Sequence, residues 1–189
     1  MLIHRFLQLL LMIYPFVIEA QDMPVSLTVI RQDFVYTGTH RCTSDTLYQK
    51  LQAFDLEKFP VLLAYRGVSR AMMADCVTNP YKKFEYFKSG KNEIEKAMKL
   101  SPNSLDVHFV RYMAQARIPA FLGYNNKNED IEFIFSKLDE YIQSNYDLYF
   151  CRTVIKALRE LHELEKSNKI RLETLSEKLL NKKNNNSIK

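Results

Sequence analysis

Tryptophan is absent from this chain, and glycine occurs only 4 times and proline 6 times in 189 residues. An all-β sandwich needs turn residues at short, regular intervals, so the composition points away from that class and towards helices. So few glycines also leave no phosphate-binding glycine loop and no Gly-x-Ser-x-Gly elbow. Histidine is thin as well. Beyond the N-terminal segment only His40, His108 and His162 occur, and none has a second histidine or a cysteine three or four residues away on a helix. The 3 cysteines, Cys42, Cys76 and Cys151, show no Cys-x-x-Cys spacing, which removes the commonest zinc and redox patterns. No metal and no cofactor are expected, and His40-Arg41-Cys42 is a tripeptide that chance supplies readily.

The chain does carry material for a core. Its residues are 47% hydrophobic, with 12 Phe and 11 Tyr, which suits one folded domain. Lysine and arginine number 27 against 22 acidic residues, for a net charge of +5, but the basic residues are dispersed and form no stripe. Such a balance suits a solvated surface or anionic partners such as lipid headgroups, and nucleic acid is not expected.

Residues 1–20 have the layout of a secretory signal peptide: His4 and Arg5, an apolar run from Phe6 to Ile18, then Glu19-Ala20, with cleavage expected after Ala20. Pro15 interrupts the run, which is shorter than the roughly 20 apolar residues a membrane-spanning helix needs. The mature chain is therefore expected to be periplasmic or secreted. There its cysteines meet an oxidising space, where one disulfide and one free thiol can form. The pairing is open from sequence, and both Cys76 and Cys151, lying on apolar helical runs, read as small core residues.

In residues 21–43, Val25, Leu27 and Val29 alternate with Ser26 and Thr28, which predicts an extended or irregular segment ending at Thr37-Gly38-Thr39. Residues 44–180 carry helical spacing. A first helix starts near Ser44 and stops before Pro60. Val61 to Val77 is apolar on nearly every side, with Ala64 and Gly67 allowing close approach, and is expected in the middle of the bundle. Asn79-Pro80 is a start signal for a helix to about Leu100 that turns Phe84, Phe87, Ile94, Ala97 and Met98 inward. Ser104 caps the next, whose buried stripe is Leu105, Phe109, Tyr112, Met113 and Ala116, and Pro119 breaks it. Ala120 to Asn126 forms an apolar loop ending in turn residues. A helix from about Asn128 to Ser144 follows, then a last one from near Asp147, with a polar break at Ser167-Asn168. Residues 181–189 bury nothing and are expected to be a disordered basic tail.

Gly90, Ile94, Ala97 and Pro102 are spaced as at a tetratricopeptide repeat junction, which they resemble, although His108, Arg111 and Tyr112 depart from the pattern of the following unit. The order Asn79-Pro80, Phe87 to Gly90, Glu95-Lys96-Ala97 and Pro119 to Asn125 is also similar to a group of uncharacterised exported bacterial proteins with irregular helical repeats. These resemblances imply an all-α fold of irregular tetratricopeptide-like hairpins stacked in a short right-handed solenoid or bundle. They also imply a protein or peptide partner held on the concave side. The residues expected there are Tyr81, Lys82, Tyr86, Arg111, Tyr112, Arg117, Phe121, Tyr124 and Asn125, tyrosine and arginine being the types that contribute most at interfaces. Equally, these tyrosines could complete the core with their hydroxyls at the surface. Two other functions stay open: an enzyme whose cleft follows Pro119 with His108 or His162 as base, and peripheral binding of anionic membrane by the lysine-rich tail.

Overall fold

The computed structural model describes residues 23–118, 123–161 and 164–186, with side chains as far as 182. The expectations placed on residues 1–20, on Pro119, Phe121 and His162 and on the last three residues lie outside the described residues. Among those described the chain is all-α, with no strand. Its helices are α1 (Leu27–Thr39), α2 (Ser44–Gln52), α3 (Pro60–Met72, continued by a 3-10 turn at Met73–Cys76) and α4 (Pro80–Leu100). They continue with α5 (Leu105–Gln115), α6 (Lys127–Ser144), α7 (Leu148–Arg159) and α8 (Lys166–Asn186).

Several boundaries follow from side chains that satisfy free backbone amides. Asn79 Oδ1 accepts from Tyr81 N at 2.9 Å and Lys82 N at 3.4 Å, with Pro80 in the first turn where its missing N–H costs nothing. Ser104 Oγ accepts from Val107 N at the start of α5, and Asp147 Oδ1 accepts from Phe150 N at the start of α7. Asn145 closes α6 in the left-handed conformation, φ 57°, which asparagine tolerates.

The region expected to be extended is instead α1. Two apolar patterns compete there. The alternation covers only Val25 to Val29, whereas Ile30, Phe34 and Thr37 recur at helical spacing and are all buried. The helix wins because it delivers Phe34 edge-on to Tyr65 and Phe109, with ring centroids 5.4 and 6.0 Å away.

Successive helices pair as α3 with α4, α5 with α6 and α7 with α8, and α5 also packs on α3, while α6 meets α7 and α8. The α3–α4 pair is the tightest. A Cβ added at Gly67 would stand 2.8 Å from the Gly90 carbonyl oxygen, and one added at Gly90 would overlap the Gly67 carbonyl and lie 2.7 Å from Ala71 N. Only glycine permits this approach. The most enclosed position belongs to α5 rather than to α3, since all 11 residues of Leu105–Gln115 are buried.

Three further expectations are corrected. Ser167-Asn168 does not break the last helical region: α7 ends at Arg159, and α8 starts at Lys166, runs through that pair and buries Leu172, Leu175 and Leu179. That same stripe carries the helix on through residues 181–186, which were expected to be disordered, and Lys182 Nζ donates to the Gln143 carbonyl at 3.0 Å. Cys76 is exposed on the 3-10 turn and forms a disulfide with Cys42, Cα–Cα 5.4 Å, while Cys151 is the buried free thiol.

Candidate binding groove

A helix buried along its whole length still carries Asp106, His108 and Arg111, so each charge must find a partner. Asp106 receives a two-pronged contact from Arg31, Nε at 2.8 Å and Nη2 at 2.7 Å, and the Tyr65 hydroxyl at 2.8 Å. The third arm of Arg31 donates to Asp147 at 2.7 Å, and its guanidinium lies 3.6 Å from the Phe150 ring centroid. Burial opposes the charge on Arg31, but Asp106 and then Asp147 outweigh it and raise its pKa. The Tyr65 phenol is pushed up by burial first and by Asp106 second. This network ties α1 to α3, α5 and the start of α7.

A second network centres on Asp130 of α6, which is fully buried. It accepts from Arg111 Nη2 at 2.7 Å, from Gln115 Nε2 at 2.8 Å and from the Arg111 Nε, and it meets His108 Nδ1 at 2.7 Å. The other ring nitrogen of His108 lies 2.9 Å from the Pro102 carbonyl, and the ring stacks on Phe133. Gln115 passes the chain on by accepting from Asn126 N at 2.6 Å. With both nitrogens engaged and the ring buried, His108 has no open cleft in which to act as a base. Cys42 is no nucleophile either, being held in the disulfide. Among the described residues, no group of 3 or more His, Cys, Asp or Glu side chains is placed to hold a metal.

These networks decide the fate of the expected partner-binding residues. Arg111, Tyr112 and Tyr124 are 4%, 7% and 5% exposed, so they belong to the interior rather than to a contact surface. Tyr124 sits under Lys91, whose Nζ is 4.7 Å from the ring centroid, and burial followed by Glu95 raises the phenol pKa. Tyr81 is 86% exposed and Lys82 is exposed, both in the first turn of α4, whereas Tyr86 is half-buried and Asn125 is exposed on the far side of Tyr124. Phe121 lies outside the described residues.

Of the set's described members, Arg117 opens onto the two larger of the cavities around it. Just beyond α5, it stands where two grooves meet and shares both with Phe34 and Met113. One groove, about 500 Å³, runs along α3 to the start of α4 and is walled by Val68, Ala71, Met72, Phe84 and Phe87, with Asp75 and Lys83 also lining it. The other, about 360 Å³, lies between α1 and α7 and is lined by Gly38, Thr39, Tyr149, Arg152, Thr153 and Lys156. A smaller recess on the other side of Arg117 reaches Tyr112, Ala116 and Lys127.

Charge is distributed unevenly along this trough. Among the described residues Arg117 donates only to the Gly38 carbonyl, at 3.3 Å, and Arg152 and Lys156 make no ion pair. Glu160 is the only carboxylate among the described residues lining that groove. Phe84, expected to point inward, is 55% exposed at the apolar end, where it lines the groove beside Met72 and Pro80. Sequence inspection also passed over Arg152 and Lys156. Their signal was present in the spacing of Tyr149, Arg152, Thr153, Lys156 and Glu160, one stripe of a helix whose opposite stripe is Phe150, Cys151, Val154, Ile155 and Leu158.

Comparison with protein-family models, curated proteins and solved structures returns no match, so function rests on geometry. Among the described residues no helix is long and apolar enough to cross a membrane.

Proposed function

We propose that this chain is an exported, non-enzymatic interaction module that binds a protein or peptide in the trough around Arg117. The trough is walled by α1, α3, α5 and α7 together with the start of α4. Contributions from several helical hairpins to one surface support the reading, since stacked tetratricopeptide-like repeats bind partners on such a shared surface. Grooves of a few hundred Å³ lined by apolar side chains, with a few polar groups to orient the occupant, suit ligand capture. Export is supported by the Cys42–Cys76 disulfide, a bond that persists in oxidising compartments.

The observation that carries this function is the meeting of the two grooves at Phe34, Met113 and Arg117. Affinity capture from envelope and culture extracts tests it, using the wild-type chain, Phe84→Glu in the trough and Ile170→Glu on the exposed outer side of α8. A partner retained by wild type and Ile170→Glu but lost by Phe84→Glu is the expected result. Identical partner sets for all three chains would contradict it.

A further inference from the structure

The trough has a direction. Its α3–α4 end is walled by Val68, Met72, Phe84 and Phe87, with Asp75 and Lys83 at its edge, while Arg152 and Lys156 line its α1–α7 end and Arg117 its middle, the last three making no ion pair among the described residues. Some surface cations are matched, Arg159 with Glu173 at 2.8 Å, Arg171 with Glu132 at 2.5 Å and Lys178 with Asp139 at 2.7 Å, and others, Lys83 at the apolar end among them, make no ion pair among the described residues. Three cations without ion pairs around one groove, against Glu160 as the one carboxylate among its described lining residues, form a local field that favours anions.

We infer that the occupant is an apolar-acidic peptide segment, its apolar side chains seated between α3 and α4 and its carboxylates against Arg117, Arg152 and Lys156. This rests on the peptide-binding function proposed above and adds the chemistry and orientation of the partner. Charge complementarity supplies the acidic end. A peptide suits the cationic groove better than an acyl chain because that groove also offers the Gln32 amide and the Thr39, Thr153 and Tyr149 hydroxyls, whose oxygens can accept from a peptide N–H in addition to the hydrogen bonds they make within the chain. Gln32 Nε2 is already oriented across the groove by a 3.3 Å contact to the Tyr149 hydroxyl.

The test selects a displayed library of short random peptides on the full-length chain and measures the enriched sequence as a fluorescein-labelled probe. Enrichment of an apolar block followed by Asp or Glu is expected. Exchanging the probe's acidic residues for their amides should weaken binding about tenfold, equivalent to about 1.4 kcal/mol. The Arg152→Glu, Lys156→Glu double variant should do the same, and added salt should weaken the wild-type complex. Peptides that need Phe84 yet show no acidic preference, and bind the double variant unchanged, would overturn the acidic assignment while leaving the peptide-binding function standing. No enrichment at all would overturn both. Failure of the library alongside Phe84-dependent binding of laurate or of phosphatidylglycerol vesicles would also overturn both, assigning the trough to an anionic lipid.

Discussion

Arg111 and Arg117 bracket the end of the same central helix and meet opposite surroundings. Arg111 is enclosed by α6, grips Asp130 through Nε and Nη2, and has its charge reinforced by Asp130 and then Glu95 in spite of burial. Arg117 is exposed, donates to one backbone carbonyl and looks into two grooves. Residue type does not separate a structural arginine from a binding one. Pairing does, because a charge removed from water is tolerated only when opposite charge and hydrogen bonds replace its hydration, whereas a solvated charge can wait for a ligand.

The sharpest way to break the comparison is at Asp130. Asp130→Ala strands Arg111, His108 and Gln115 in the interior, and the unfolding free energy by chemical denaturation should fall by about 3–5 kcal/mol. Next comes the tether beside the trough. Cys42→Ser opens a loop spanning 34 positions between the end of α1 and the turn after α3, and should cost about 2–4 kcal/mol in the same assay. Adding reductant to wild type should reproduce the loss. Gly90→Ala forces α3 and α4 apart against the Gly67 carbonyl and Ala71, lowering stability by about 1–3 kcal/mol.

On the solvated side the sign of the effect should change in kind. Arg152→Ala and Lys156→Ala leave no buried partner behind, so stability should stay within about 0.5 kcal/mol of wild type while binding of an anionic ligand suffers. The free thiol marks the interior side at still smaller scale. Burial, followed by the charge of Asp147, pushes Cys151 up to about 11, so the folded chain should resist iodoacetamide at neutral pH and react quickly once unfolded.

Much of the helical frame was legible from residues alone. Asn79-Pro80, Ser104 and Asp147 announce helix starts by the same hydrogen bonds found in the structure, and Gly67 reads as a close-approach position before its neighbour Gly90 is seen. The site was less legible because burial of α5 depends on helices distant in sequence. Nothing local to Arg111 reveals Asp130, and nothing near Asp106 reveals Arg31, which sits 75 residues away on a segment whose short alternation mimics a strand. Arg111 lies inward because α6 closes over α5 and brings Asp130 to it. Phe84 lies outward instead: its helical face is apolar, but at this position that face lines the open groove.

Titration of the isotope-labelled chain with an apolar-acidic peptide, followed residue by residue through backbone amide shifts, tests the separation between paired interior charge and waiting surface charge most directly. Shifts confined to Gly38, Phe84, Met113, Arg117, Arg152 and Lys156, with Arg111 and Asp130 unmoved, are the predicted result. Shifts gathered on the outer face of α8, or none at saturating peptide, would contradict it.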